Sequence, residues 1–153
     1  LKMNLNSKAL LQIGLKRREK YYMNEEIHSL VREWFKLANE DLKAAKKLFE
    51  EINHITCFHC QQSAEKYIKG LLVLLQIDFR KSHNLSYLLE LLNKDIPEDI
   101  MYAAEYLNEF AVEIRYPTNF SSISDKEAKE ALNYATNIKE YIISLAKDND
   151  FTS

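Results

Sequence analysis

The chain has 153 residues, 46% of them hydrophobic, with two Gly, two Pro and a net charge of −2. That length suits one domain, and so few turn formers leave few reversals, so long helices are expected. Six of the 21 basic residues but only one of the 23 acidic ones fall in residues 1–22, leaving a net −7 on the remainder. An acidic body excludes broad electrostatic wrapping of nucleic acid and leaves room only for a local basic pocket. No apolar run approaches the ~18 residues of a membrane span, and "ALLQIGL" lacks the length and cleavage site of a signal peptide. A cytoplasmic protein that makes no membrane contact is expected.

In chain order, residues 1–22 read as a basic arm, with Met23 a natural start and the domain running over 23–153. A helical pattern begins in "NEEIHSLVREW". Val31, Phe35, Ala38, Leu42, Ala45 and Phe49 follow at 4-3-4-3-4 spacing, one stripe of a long helix. "INHIT" breaks it. A second helix is predicted over about 56–76, with Cys60, Ala64, Tyr67, Ile68, Leu71, Leu74 and Leu75 on its apolar face. "IDFRKS" is a loop, and "HNLSYLLELL" a short helix, with Ser82 a candidate N-cap. Pro97 opens a further helix bearing Ile100, Ala103, Leu107, Phe110 and Ile114, which Tyr116-Pro117 should stop near Arg115. Ser124 and Glu127 form a capping box for the last helix, which buries Ala128, Ala131 or Leu132, Ala135, Ile138, Ile142 and Leu145. The expected fold is all-α: an antiparallel up-and-down bundle of four long helices plus one short helix.

The chemistry-bearing residues lie along three stretches. On the second helix His59, Gln62, Lys66 and Lys69 fall within about an 80° arc, a row of donors suited to an anion or a solvated face. Ser63 and Gly70 at its edge let another helix approach. Arg80, Lys81, Ser82 and His83 gather where a helix start offers free N–H groups to an anion. Arg115 suits a helix end, where a cation meets the dipole, and Tyr116 beside it offers a ring for a base to stack on. Cys57 and Cys60 form a C-x-x-C with no second pair, so buried, reduced, unmetallated thiols are expected, and no cofactor. Tyr67, Tyr102, Tyr106 and Phe120, read as lying near the surface, predict a homodimer.

Four pieces together resemble the HEPN domain family: "ANEDLKAAKKLFE", "CFHCQQSAEKYIKGLL", "SHNLSYLLELL" and "EFAVEIRYP", in that order over about residues 31–145. The resemblance implies a bundle of about five helices that dimerises and pairs with a small nucleotidyltransferase. It implies metal-independent RNA cleavage, as in toxins and defence proteins, nucleotide binding, or a role as a non-catalytic module. Nuclease members follow an Arg with a His four to six residues later. Here Arg115 matches the arginine, and no His follows it; His28, His54, His59 and His83 all lie earlier. The chain resembles the Arg-Tyr-Pro branch. The leading expectation is a nucleotide- or RNA-phosphate-binding cleft associated with a dimer. It would be built from Arg115, Tyr116, His59, Gln62, Lys66, Lys69 and His83, in a protein of a toxin–antitoxin or defence-type pair. The alternatives are a ribonuclease that uses Arg115 with His59 or His83, and a purely structural interaction module.

Overall fold

The computed structural model describes residues 5–111 and 122–152. Among them are five helices and no strand: α1 (Leu5–Leu48), α2 (Asn53–Leu74), α3 (Leu85–Glu90), α4 (Glu98–Asn108) and α5 (Asp125–Asp148). The expected bundle, four longer helices and one short, is the fold found.

Side-chain contacts fix the directions. Thr56 Oγ1 donates to the Ala45 carbonyl and Ser63 Oγ to that of Ala38 at 2.7 Å, so α2 returns antiparallel along α1. Asn53 reaches Asp125 at 2.6 Å, and the Lys139 ammonium lies over the Tyr67 ring, so α5 runs parallel to α2. Tyr102 packs edge-on against Tyr134, while Tyr106 donates to the Glu127 carbonyl, so α4 opposes α5. The order is therefore up, down, up, down, with α3 inside the α2–α4 connection. Helix α5 packs mainly against α2 and α4 and only lightly against α1, so the parallel pair α2 and α5 forms the centre of the bundle.

The apolar stripes meet in one core. Val31, Ala38, Leu42 and Ala45 of α1 are buried with Cys60, Ala64, Ile68 and Leu71 of α2 and with Ala131, Ala135, Ile138 and Ile142 of α5. Gly70 is a point of close approach between α1 and α2. A Cβ there would stand 2.7 Å from the Phe35 ring and 3.0 Å from Trp34 Cβ. The small residues at the edge of the α2 row thus admit α1 as expected. Tyr67 belongs to this core at 2% exposure, not to the surface.

Three boundaries differ from the sequence reading. Helix α1 does not begin after Met23 but at Leu5. The arm is rich in Leu, Lys and Arg and holds no Pro, so the helix continues on local preference while its Leu10, Leu11 and Leu15 stay exposed. Helix α4 closes at Asn108 rather than near Arg115, and Pro97 is its N-cap. Asn84, not Ser82, caps α3 by accepting the Tyr87 N–H. The Ser124–Glu127 capping box is present at α5, as expected. After α5, Asp150 turns left-handed (φ 60°) and the Phe151 N–H returns to the Ala146 carbonyl. This turn folds Phe151 back against Phe35 and His28.

Candidate functional site

The donor row on α2 exists, and each half of it is gathered around a carboxylate. Asp41 of α1 takes the first half. His59 Nδ1 lies 2.8 Å from Asp41 Oδ1, and the Lys66 ammonium pairs with Oδ2. Glu65 takes the second. Lys69 donates to Glu65 Oε1 at 2.7 Å, while Gln61 Nε2 and His83 Nδ1 approach Oε2 at 3.0 Å each. Gln62 links to this group by donating to Gln61 Oε1 at 2.7 Å, and Gln61 also donates to the His83 carbonyl.

The geometry follows from helix spacing. Gln61, Glu65 and Lys69 repeat every fourth residue, so they stack on one line of α2. His59 and Lys66 lie two turns apart on the side facing α1, where Asp41 bridges them. Glu65 and Lys69 are nearly buried and Gln61 wholly so. Burial alone would raise the Glu65 carboxyl. The hydrogen bonds from Lys69, Gln61 and His83, with the Lys69 charge, outweigh it and hold Glu65 below the usual carboxylate range. Glu65 is therefore a fixed anion that orders an ammonium, an imidazole and an amide. His83 remains about half exposed, its Nδ1 held and its other nitrogen directed away from Glu65.

Sequence reasoning missed Asp41, Gln61 and Glu65. Glu65 and Gln61 were legible as neighbours of the row at i+4 spacing. Asp41 was not, because it comes from another helix. The free N–H groups expected at the start of α3 are also largely used: Asn84 takes that of Tyr87 and Asn108 Oδ1 that of Leu85, at 2.7 Å. Arg80 stacks over Tyr87, 4.6 Å from the ring centre, instead of facing the row. Arg115, Tyr116, Pro117, Ile114 and Phe120 lie outside the described residues.

The described ends on either side of Arg115 are both tied to this region. On one side Asn108 bonds Leu85, Asn84 and Ser86, directly after His83. On the other, Asn53 at the head of α2 donates to the Ile123 carbonyl at 3.3 Å. Cys57 and Cys60 are buried and not joined in a disulfide, and burial, with Cys57 beside it, pushes Cys60 far up and keeps it protonated. Among the described residues no group of His, Cys, Asp and Glu is placed to hold a metal, and no helix is long and apolar enough to cross a membrane.

Comparison with known proteins gives a consistent result. Residues 31–146 match the HEPN domain family. The fold resembles the crystal structure of an archaeal HEPN homologue, ST0689, at 30% identity and a TM-score of 0.64, covering 75% of this chain and 96% of that one. It resembles TT1696 from Thermus thermophilus at 29% identity and a TM-score of 0.66, covering 74% and 96%. A HEPN domain protein from Thermotoga maritima follows at 25% identity and a TM-score of 0.64, covering 75% and 98%. Among curated proteins none matches.

Proposed function

The chain belongs to the HEPN domain family, and from that premise we propose that it binds a nucleotide or an RNA phosphate at a dimer-associated cleft. Its partners in this reading are a second copy of itself and a small nucleotidyltransferase, in a toxin–antitoxin or defence-type pair. Arg115 supplies the cation for phosphate and Tyr116 the stacking ring. The row on α2 and His83 supply the polar wall.

The observation that supports this is the double tether of the segment bearing Arg115. Seven residues before it, Asn108 is hydrogen-bonded at the start of α3, next to His83. Eight residues after it, Ile123 is held by Asn53 at the start of α2. The two anchors flank the half of α2 that bears His59, Gln61 and Gln62. The carboxylates Asp41 and Glu65 hold the row in place, so its side chains lose little freedom when an anion arrives. The test is a titration with nucleoside triphosphates and a short single-stranded RNA, comparing the native protein with Arg115→Ala.

A second reading, cleavage of RNA, rests on His83. Glu65 holds its Nδ1, which leaves Nε2 the exposed nitrogen for proton transfer at a 2′-hydroxyl. RNA hydrolysis lost in His83→Ala would favour it over binding alone.

A further inference from the structure

A second cavity, away from the Asp41 and Glu65 groups, lies between α1, α2 and α5. It encloses about 330 Å³, and its walls include Phe35, Tyr67 and Phe151, with Asn39, Lys139 and Lys147. That volume lies at the lower end of the range for small-molecule sites, which are mostly apolar with a few placed polar groups.

Its polar groups are all suited to one kind of ligand. Tyr67 is 98% buried, yet its hydroxyl has no hydrogen-bond partner among the described residues. No fully enclosed side-chain polar atom there lacks a partner. The Tyr67 hydroxyl therefore reaches open space, and the cavity is the space its side chain lines. Burial pushes the phenol up to about 12, so it stays a neutral donor. The Lys139 ammonium gives one hydrogen bond, to Asn39 Oδ1 at 3.1 Å, and sits over the Tyr67 ring. Neither Lys139 nor Lys147 has a carboxylate partner among the described residues, and no Asp or Glu lines the cavity. A phenol donor and two cations without a counter-ion call for an anionic acceptor. The walls call for a flat ring: Phe35 meets Phe151 edge-on with centroids 5.5 Å apart and Tyr67 at 5.3 Å.

We infer that this cleft binds a small aromatic carboxylate, its ring against Phe35 and Phe151 and its carboxylate on Lys139 and the Tyr67 hydroxyl. Phe151 closes one wall because the left-handed turn at Asp150 brings the end of the chain back onto α1. The site stands independently of the Arg115 reading, since none of these six side chains bonds to Asp41 or Glu65.

The test is calorimetric titration of the full chain with 1-naphthoate, its neutral analogue 1-naphthamide, and inorganic phosphate. Naphthoate should bind saturably, about tenfold more tightly than naphthamide, and phosphate should not compete. Tyr67→Phe, which keeps the buried ring and removes only the hydroxyl, should weaken naphthoate about fivefold and leave naphthamide unchanged. Lys139→Met should weaken naphthoate about tenfold. Absence of saturable naphthoate binding at millimolar concentration would overturn the inference. So would equal affinity for acid and amide, competition by phosphate alone, or full naphthoate affinity in Tyr67→Phe.

Discussion

The side-chain carbonyl of Asn108, the last residue of α4, accepts the backbone N–H of Leu85, the first residue of α3, at 2.7 Å. Its amide also reaches Asn84 and Ser86. One side chain thus ties the end of one helix to the start of another.

Asn108→Ala should therefore cost more than a surface substitution. It removes three hydrogen bonds and leaves the Leu85 N–H without its acceptor. A loss of about 1–3 kcal/mol is expected in denaturant unfolding. The same variant should weaken nucleotide binding, because the tether on the Arg115 segment is released. An unchanged unfolding midpoint would show that the junction is held by packing alone.

Glu65 gives the fold an acid limit. Its carboxyl sits below the usual value of 4.5 in the folded chain. A depressed carboxyl contributes stability that is fully present above the unfolded value and fades as pH falls through the folded one. Stability should thus hold at neutral pH and drop below about pH 4.5. Glu65→Ala, which strands Lys69 nearly buried, should lose about 3–5 kcal/mol at pH 7 and flatten that acid decline. An acid decline as steep as that of the native protein would assign it to other carboxylates.

The helix stripes were legible because burial follows a 3.6-residue period whatever the partner. Val31, Ala38, Leu42 and Ala45, and likewise Ala128, Ala135, Ile138 and Ile142, are buried as their spacing says. The candidate site was legible only on α2 itself. His59 and Lys66 look like free donors on a wheel of that helix, and the group that holds them, Asp41, lies 18 and 25 residues away on α1. The charge change near Met23 is no helix boundary, because charge sets what a helix faces, not whether it continues. The end of α4 was placed too late because Tyr116-Pro117 was the visible stop, whereas α4 closes at Asn108, where the chain tightens into turns at Phe110 and Ala111.

Gly70→Ala tests the α1–α2 seam. Alanine would gain about 1 kcal/mol of helix preference, but its Cβ would stand 2.7 Å from the Phe35 ring and 3.0 Å from Trp34 Cβ. Overpacking of this kind costs about 1–3 kcal/mol, so a net loss in thermal stability is expected. A more stable variant would mean that the Phe35 ring yields freely.

Self-association is expected to use the aromatic face of α4 and α5. Tyr102 is 58% exposed and continues through Tyr134 to Tyr106, with ring centroids 5.7 and 4.9 Å apart. Light scattering should give a dimer at micromolar concentration, and Tyr102→Glu should shift it to monomer without unfolding. A native protein that scatters as a monomer would remove the dimer from the account.

The account rests most heavily on Arg115, and one paired measurement tests it: nucleotide or RNA affinity and thermal stability, each in native protein and in Arg115→Ala. A phosphate-binding arginine predicts a loss of about 1–3 kcal/mol in affinity, the range for a charge-assisted hydrogen bond. Stability should fall by much less than affinity, because a residue that serves the ligand adds little to the unliganded fold. A large loss of stability with affinity unchanged would contradict the account and make Arg115 a structural residue.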